Sequence, residues 1–580
     1  MPVTFPARVD LDSRNRRQSA DEQDLLKALD QLHDEGKEVR DRWAPPKDIE
    51  RDLKLYRGEV GPTGRDPYFE ANFIEAFINR MVDQLTDNRP GLRVEARKAG
   101  LRNVANVVTK VVSATWDDTV MQRQAYKMCH SAATMRSAGL YTGYDPISDE
   151  IVLETIQLPQ VTFDPAVTEA GLIKKAEYLS IERVRPLDEL KYRFPARGAE
   201  VKADARLLET PEAAKKRTMT GPLSEMLTGR KGGGLGLPRA KVWEWHLVDR
   251  QKLPDGQPMF PGGRMILRSK DLILWDGPNP FWDGIPPLDW FDWVVDPEHA
   301  LGRSEPSRLM RVQLAFNQIM DGLVENQILS NFLSVVGDYD SLDETTWKRL
   351  QNISSSLILR KKNRNAMTPA VAAPPDFGAS KIALARFIFT IAQLMTGVTD
   401  VTLGETPGSL QSGEAIEGLQ EGANLGTRSR ASRLEDFFSR VGQKLVARIF
   451  QFYPSDRVVH MTGPTGEAVE YAIKRQEFFM SDEGENLINA ISVAEQDRQR
   501  KEVFRSLVFK VQPGSSAPGS RVRRARLMID LVKLAAASRE DLLIAADFPN
   551  PKEMLDRAKK EYMELGPIPG TNAKAPGGAV

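Results

Sequence analysis

Residues 397–454 read GVTDVTLGETPGSLQSGEAIEGLQEGANLGTRSRASRLEDFFSRVGQKLVARIFQFYP. The stretch opens as a loop, because Gly397, Gly404, Pro407 and Gly408 interrupt the backbone too often for any regular element. From Ser412 the pattern is helical. The Ser412 hydroxyl can accept a bond from an early backbone N–H, Glu414 suits the positive end of the helix dipole, and Pro454 ends the run. At about 1.5 Å per residue, a helix of ~40 residues would be ~60 Å long, more than one compact domain needs.

Two stripes run along this helix. Leu434, Phe438, Val441, Leu445, Ile449 and Phe452 recur at steps of three and four, an apolar face, and Arg433, Arg440, Lys444 and Arg448 form a basic stripe beside it. Those cations read either as a solvated edge of a core helix or as a contact to a neighbouring subunit or to phosphate. Nearer the start, Gly418, Gly422 and Gly426 recur every fourth residue and leave one face bare. Each interior Gly is worse than Ala by ~1 kcal/mol, so either another backbone packs closely there or the helix bends.

The chain around this stretch has 580 residues, enough for several domains or one extended subunit with shared cores. Lys plus Arg and Asp plus Glu both number 80, so no global basic field favours sequence-independent nucleic-acid binding, and any DNA contact is local or weak. The most apolar run, Ile382 to Met395, contains Arg386 and is too short to span a bilayer. The only cysteine, Cys129, cannot form an intrachain disulfide, and MPVTFPARVD lacks a signal peptide's apolar core, so a reducing intracellular compartment is expected.

Residues 1–20 are polar and unpatterned, and 566–580 are rich in Gly and Pro; both ends are expected to be mobile. Phe73, Phe77, Met81 and Leu85 mark an amphipathic helix stopped before Pro90, and a second helical region runs from about Asn103 to Met135 with Val107, Val111, Trp116 and Val120 on its apolar side. Cys129 and His130 read as packing residues. The period then becomes two, with a turn at Asp145, Pro146 and Asp149, a corner at Asp164 and Pro165, and further β character in AEYLSIERV, VWEWHLVDR and MILRSKDLILW. Residues 202–240 read as a surface insertion. Trp275, Trp282, Trp290, Phe291 and Trp293 form an aromatic-dense connector expected in the core. Ser304 and Pro306 then open a helix carrying Leu309, Val312, Phe316, Ile319, Met320 and Leu323, followed by a small α/β insert and a helix from Ser380 towards Gly397.

The order helix, compact insert, helix, irregular loop, very long helix resembles the portal proteins of tailed bacteriophages. The residues that carry the likeness are LGRSEPSRLMRVQLAFNQIMDGL, then TGVTDVTLGETPGSLQSGEAIEGLQEGANLGTRSRASRLEDFFSRVGQKLVARIFQFY, with RVRRARLMIDLVKLAA downstream and DEIVLETIQLPQVTFDP upstream. The likeness lies in pattern and order over roughly residues 40–560, with no short invariant signature. It implies a mixed α+β, predominantly helical, elongated subunit with wing, stem, clip and crown regions. On that reading 21–303 is an N-terminal α/β wing, 304–330 the first stem helix, 331–376 the clip, 377–396 the second stem helix and 397–412 the tunnel loop. Residues 413–519 are the long wing helix and the wing segment after it, 520–565 a helical crown.

The resemblance further implies a homo-oligomeric ring, a dodecamer, at one capsid vertex, through which double-stranded DNA passes in genome packaging and ejection. Its implied partners are the terminase large subunit, head-to-tail adaptor proteins and the major capsid or scaffolding protein, in a virion assembled in the host cytoplasm without membrane insertion. The implied tunnel-loop residues Thr399, Asp400, Thr402, Glu405, Thr406, Ser409 and Gln411 include acids and hydroxyls but no cation, which avoids the counterion-release term that makes phosphate contacts strong. Arg360, Lys361, Lys362 and Arg364 form a basic cluster in the implied clip, readable as a solvated turn or as a surface for DNA or an acidic partner. Arg521, Arg523, Arg524 and Arg526 precede apolar Leu527, Ile529, Leu531, Val532 and Leu534, a pattern of helix-to-helix contact between subunits.

Enzyme signatures are missing from the sequence. There is no HExxH, CxxC, GxSxG or GxxxxGK[ST], KGGGLGLP reads as a flexible loop, and His33, His130, His246, His299 and His460 are scattered. No catalysis, cofactor or metal is expected, and the motor that hydrolyses ATP would be a separate protein. The competing reading from another class is a soluble multidomain scaffold or adaptor without a channel.

Overall fold

The computed structural model describes residues 20–59, 71–87, 89–204, 238–331, 334–336, 344–345, 363, 365, 370–372, 378–398, 425–453, 457–462, 468–473, 479–488, 492–511, 528–529, 531–532, 534, 538 and 555. They fall into two compact units, one of residues 1–49, 82–304 and 427–580 and one of 50–81 and 305–426. Helix outweighs strand in a mixed fold.

The first unit begins with α1 (Ala20–Trp43), a helix not anticipated from the sequence. Leu25, Leu29 and Leu32 recur at steps of four and three and pack on Tyr178, Trp245, Leu247, Ile266 and Ile273. These belong to a five-stranded antiparallel sheet in the order β4 (Val161–Phe163), β5 (Tyr178–Pro186), β6 (Arg239–Leu247), β7 (Arg264–Arg268) and β8 (Ile273–Pro278). Glu22, nearly solvent-free at the start of α1, takes two bonds from Arg197 at 2.8 and 2.9 Å and one from the Ile273 N–H at 3.1 Å. A charged, hydrogen-bonded group thus fixes the register of helix on sheet.

After α2 (Pro46–Tyr56), α3 (Phe73–Thr86) and β1 (Leu92–Ala96), the region read as helical from 103 to 135 divides into α4 (Arg102–Asp118) and α5 (Met121–Met135). Val120 is the break: its φ is 50° and it is 53% exposed, so it is the turn and not a core residue. Cys129 on α5 is fully buried, and desolvation pushes its thiol up to about 12, which leaves it inert. The alternating segment forms β2 (Ser137–Asp145) and β3 (Glu150–Gln157), which join β9 (Leu288–Asp292) in a second antiparallel sheet ordered β3, β2, β9. Of the aromatic connector, Trp290, Phe291 and Trp293 are buried, whereas Trp275 and Trp282 are half-buried.

Side chains of the two sheets meet around Glu244 of β6. Its Oε2 accepts from Arg183 Nη1 at 2.6 Å, and its Oε1 from Tyr141 Oη at 3.1 Å and His246 Nε2 at 2.8 Å. Arg183 also donates to Glu154 at 3.0 Å and lies 4.1 Å over the Tyr141 ring. Burial would raise the Glu244 carboxyl, but the Arg183 charge and these bonds outweigh it and hold it at about 2.

The chain closes on itself late. α6 (Leu187–Arg193) follows β5, and the first unit resumes at residue 427, within α9 (Leu425–Phe452), and continues through the strand pair β12 (Arg457–Thr462) and β13 (Ala468–Ile473), α10 (Val493–Arg505) and β14 (Leu507–Val511). β14 pairs antiparallel with β1, Leu92 opposite Val511, across most of the sequence. Gly442 of α9 lies flat against the Phe509 ring, where a Cβ would overlap the ring. The described helix starts at Leu425; the stretch 413–424 read as its beginning lies outside the described residues.

The second unit centres on α7 (Glu305–Asn331) and α8 (Gly378–Thr396). They run antiparallel, since Arg308 near the start of α7 donates to the Met395 carbonyl at the end of α8 at 3.1 Å, and Lys381 donates to the Gly322 carbonyl at 3.0 Å. Phe73 and Phe77 cluster with Phe389, and Phe316 stands edge-on to Phe73. Gln313 accepts from the orphan N–H of Phe73 at 3.2 Å. A two-stranded pair, β10 (Ser334–Val336) with β11 (Ala370–Ala372), accounts for the described strands of the insert. By length and composition Ala379–Thr396 is apolar enough to cross a membrane, a longer window than the run read from the sequence; 22% of it is buried.

Two outcomes follow for stability. Gly442→Ala gains up to ~1 kcal/mol of helix propensity but overpacks Phe509 at a cost of ~1–3 kcal/mol, so its denaturation midpoint falls; an unchanged or higher midpoint contradicts the close approach. Glu244 has a folded pKa below its unfolded value of about 4.3, so its contribution is complete above that pH and is lost as the pH falls towards 2. The stability difference between the parent and Glu244→Gln therefore shrinks across that window, measured by urea denaturation at stepped pH.

Candidate functional site

The basic stripe of α9 and Gly426 are the parts of the site read from the sequence that the described residues include. On α9, Leu434, Phe438, Val441, Leu445 and Ile449 are buried, with Trp116 edge-on to Phe438 at 5.4 Å between ring centroids. The cations beside them face the outer edge of β9. Lys444 Nζ donates to the Leu288 carbonyl at 2.8 Å, Arg440 Nη2 to the Trp290 carbonyl at 3.3 Å, and Arg433 to the carbonyls of Asp292 and Trp293 at 3.1 and 3.0 Å. Carbonyls of residues 288, 290 and 292 share one edge because the strand period is two. Four helical residues rise ~6 Å and two strand residues ~6.6 Å, so Lys444 and Arg440 match Leu288 and Trp290 almost in step.

Carboxylates complete the ladder. Asp289 is 3.0 Å from Lys444 and 3.9 Å from Arg440, Asp292 is 3.5 Å from Arg433, and Asp283 is 3.0 Å from Arg448. Arg448 is fully buried, donates to the Thr142 carbonyl at 3.3 Å and sits 3.7 Å over the Phe281 ring. At the same end, Gln451 donates to the Pro280 carbonyl at 2.6 Å and accepts from the Trp282 N–H at 3.0 Å. Burial lowers the pKa of Lys444, Arg448 and Arg433, opposed by Asp289, Asp283 and Asp292 respectively.

The pattern leaves these four cations solvated or in contact with another molecule; in the structure Lys444 and Arg448 do neither, being 4% and 0% exposed and paired within the chain. Arg433 and Arg440 keep part of their side chains in solvent, 28% and 26% exposed. The acidic partners were not singled out from sequence, although carboxylates at 283, 289 and 292 inside an aromatic-dense run are a signal of buried charge. The tunnel-loop residues Thr399, Asp400, Thr402, Glu405, Thr406, Ser409 and Gln411, the basic cluster Arg360, Lys361, Lys362 and Arg364, and Gly418 and Gly422 lie outside the described residues; Gly426 is the second residue of α9. Among the described residues no three His, Cys, Asp or Glu side chains form a group that could hold a metal ion.

Residues 327–575 match the family model described as phage P22-like portal protein. The match supports a tailed-phage portal protein. The matched portal region contains α8, α9, the strand pair β12 and β13, α10 and β14. The carbonyl edge that α9 grips lies before it, in the part of the chain the family model does not reach. None of the curated proteins compared with the chain matches it.

Lys444→Ala leaves the Asp289 carboxylate, 3% exposed, without its nearest cation and the Leu288 carbonyl without its donor, and costs ~3–5 kcal/mol. Lys444→Met combined with Asp289→Asn recovers much of that loss. A double-mutant cycle by chemical denaturation measures the coupling, and additive effects would contradict the pairing.

Proposed function

We propose that the chain is a portal protein that forms a homo-oligomeric ring, a dodecamer, at one vertex of the capsid. Double-stranded DNA passes through the ring during packaging and ejection. The ring docks a terminase large subunit, which supplies the ATP hydrolysis, and later head-to-tail adaptor proteins; capsid or scaffolding protein surrounds it. The role is that of a conduit, without catalysis of its own. The observation that carries this reading is the family match over residues 327–575.

Within the reading, 304–330 and 377–396 are stem helices, 331–376 the clip and 397–412 the tunnel loop. Residues 413–519 belong to the wing with 21–303, and 520–565 form the crown. Support for the stem assignment comes from the surface of the second unit. On α8, Ile382, Leu384, Phe387 and Leu394 are 46%, 48%, 62% and 83% exposed, and on α7 only Leu309 of the six apolar residues read from the sequence is buried. Apolar side chains left in water at this density mark a surface that another molecule covers, and a ring provides a second copy. The tunnel loop carries no Lys or Arg between Thr399 and Gln411, which suits DNA that slides without sticking.

Negative-stain electron microscopy of the purified chain tests the ring. Closed rings with a central pore are expected, and a compact monomer at high concentration overturns the reading. Phe387→Asp with Leu394→Asp is expected to shift the species in sedimentation velocity from ring to monomer with an unchanged circular dichroism spectrum. Partition of the parent into membranes instead of the detergent-free supernatant would assign that face to lipid and refute its role between subunits.

A further inference from the structure

The first unit contains a cleft of about 770 Å³, lined by residues of both sheets, α6 and the end of α9, that has no part in the ring reading. Its walls are aromatic: Tyr192, Phe194, Trp275 and Phe281 line it, and Tyr144 lies flat on Phe452 with centroids 4.0 Å apart and planes 2° from parallel. Tyr192 is 71% exposed and Ile147, also in the lining, 52%. A volume of this size with an apolar lining and a few polar groups is the usual form of a binding site.

The charges of the cleft are unequal. Asp145, Glu154, Glu189 and Glu244 face Arg183, Arg185 and Arg193, one carboxylate in excess. Arg193 pairs with Asp145 and Glu189, and Arg185 with Glu189. Arg183 alone serves both Glu244 at 2.6 Å and Glu154 at 3.0 Å, and Glu244 has Tyr141 and His246 besides. Glu154 is therefore the under-neutralised group. It uses only Oε2 towards Arg183, its side chain is 41% exposed, and among the described residues Oε1 has no partner. Arg183 itself is nine-tenths buried, yet its Nη2 donates to nothing among the described residues.

We propose that this cleft docks a segment of a partner protein that carries a lysine or arginine beside an apolar side chain. The cation pairs with Glu154 Oε1 and supplies the missing positive charge. Its aliphatic stem and the apolar neighbour lie against the aromatic walls, where a cation over a ring face gains further attraction. An acidic segment would add to the carboxylate excess, and a purely apolar one would dehydrate Glu154 without a counter-charge. The site is chosen by charge and shape within one unit, so it stands whether or not the chain forms a ring.

Fluorescence anisotropy of the full chain with three labelled, end-blocked peptides tests this: Gly-Phe-Arg-Leu-Gly and the same peptide with Gln or Glu in place of Arg. The Arg peptide is expected to bind about tenfold more tightly than the Glu peptide, with the Gln peptide between them and the preference weakening as salt is added. Glu154→Gln is expected to abolish the preference for Arg over Gln, and Tyr192→Ala to weaken all three. Both positions are substantially exposed, and an unchanged melting curve confirms that the variants fold. Equal affinity for the Arg and Glu peptides, a preference that survives Glu154→Gln, or no binding of the Arg peptide at millimolar concentration overturns the proposal.

Discussion

The edge of a sheet is a row of unpaired carbonyls and N–H groups, and the first unit depends on how the β9 edge is closed. Ordinarily an edge is blunted by charge, proline or a bulge, or by pairing with another strand. Here a helix covers it, and the helix brings donors long enough to reach the carbonyls. Lys444 and Arg440 meet Leu288 and Trp290 because four helical residues and two strand residues advance by nearly the same ~6 Å. An apolar helix face could bury the same edge only by leaving those carbonyls unpaired, at ~1–3 kcal/mol each. The cations then need their own compensation, and Asp289 and Asp283 provide it within 3.0 Å.

That compensation explains why the ladder couples distant parts of the chain. Asp283 and Asp289 lie in the connector before and within β9, Thr142 lies in β2, and α9 comes some 150 residues later. Removing any one group leaves another buried charge or carbonyl without a partner, so the elements hold position together. The second contact of α9, Gly442 against Phe509, ties the same helix to the pair β1 and β14. One helix face thus grips a sheet edge by charge while another approaches an aromatic ring through the lack of a side chain.

Much of this was legible from periodicity, and the rest was hidden for identifiable reasons. The apolar stripe from Leu434 to Ile449, the stop of α3 before Pro90 and the β2 to β3 turn follow from local pattern, which is where sequence is most informative. Val120 misled because a β-branched residue in a helical run gives no sign that it adopts φ 50°. α1 has a clear repeat at Leu25, Leu29 and Leu32, diluted by a strongly charged background. The β12 and β13 pair has its signal in RVVHMT and AVEYAI, two β-rich runs either side of the sequence GPTGE, whose Gly and Pro residues are turn formers. For the ladder, one stripe gives the cations, but only the tertiary fold brings Asp289 to Lys444.

The pairing also changes what the charge count means. A balance of 80 cations and 80 anions describes the composition, whereas DNA responds to the charges that remain in solvent. Lys444, Arg448, Asp283 and Asp289 are withdrawn in matched numbers, so the net charge is untouched while a conspicuous basic stripe loses its inner half. Arg264 repeats the arrangement, fully buried between Asp249 and Asp276 at 3.1 and 2.7 Å. Phosphate affinity rises steeply with the number of free cations that can displace counterions. A chain that spends cations on its own sheet edges and interior is stiffened by them without acquiring the grip on nucleic acid that the same residues would exert on its surface.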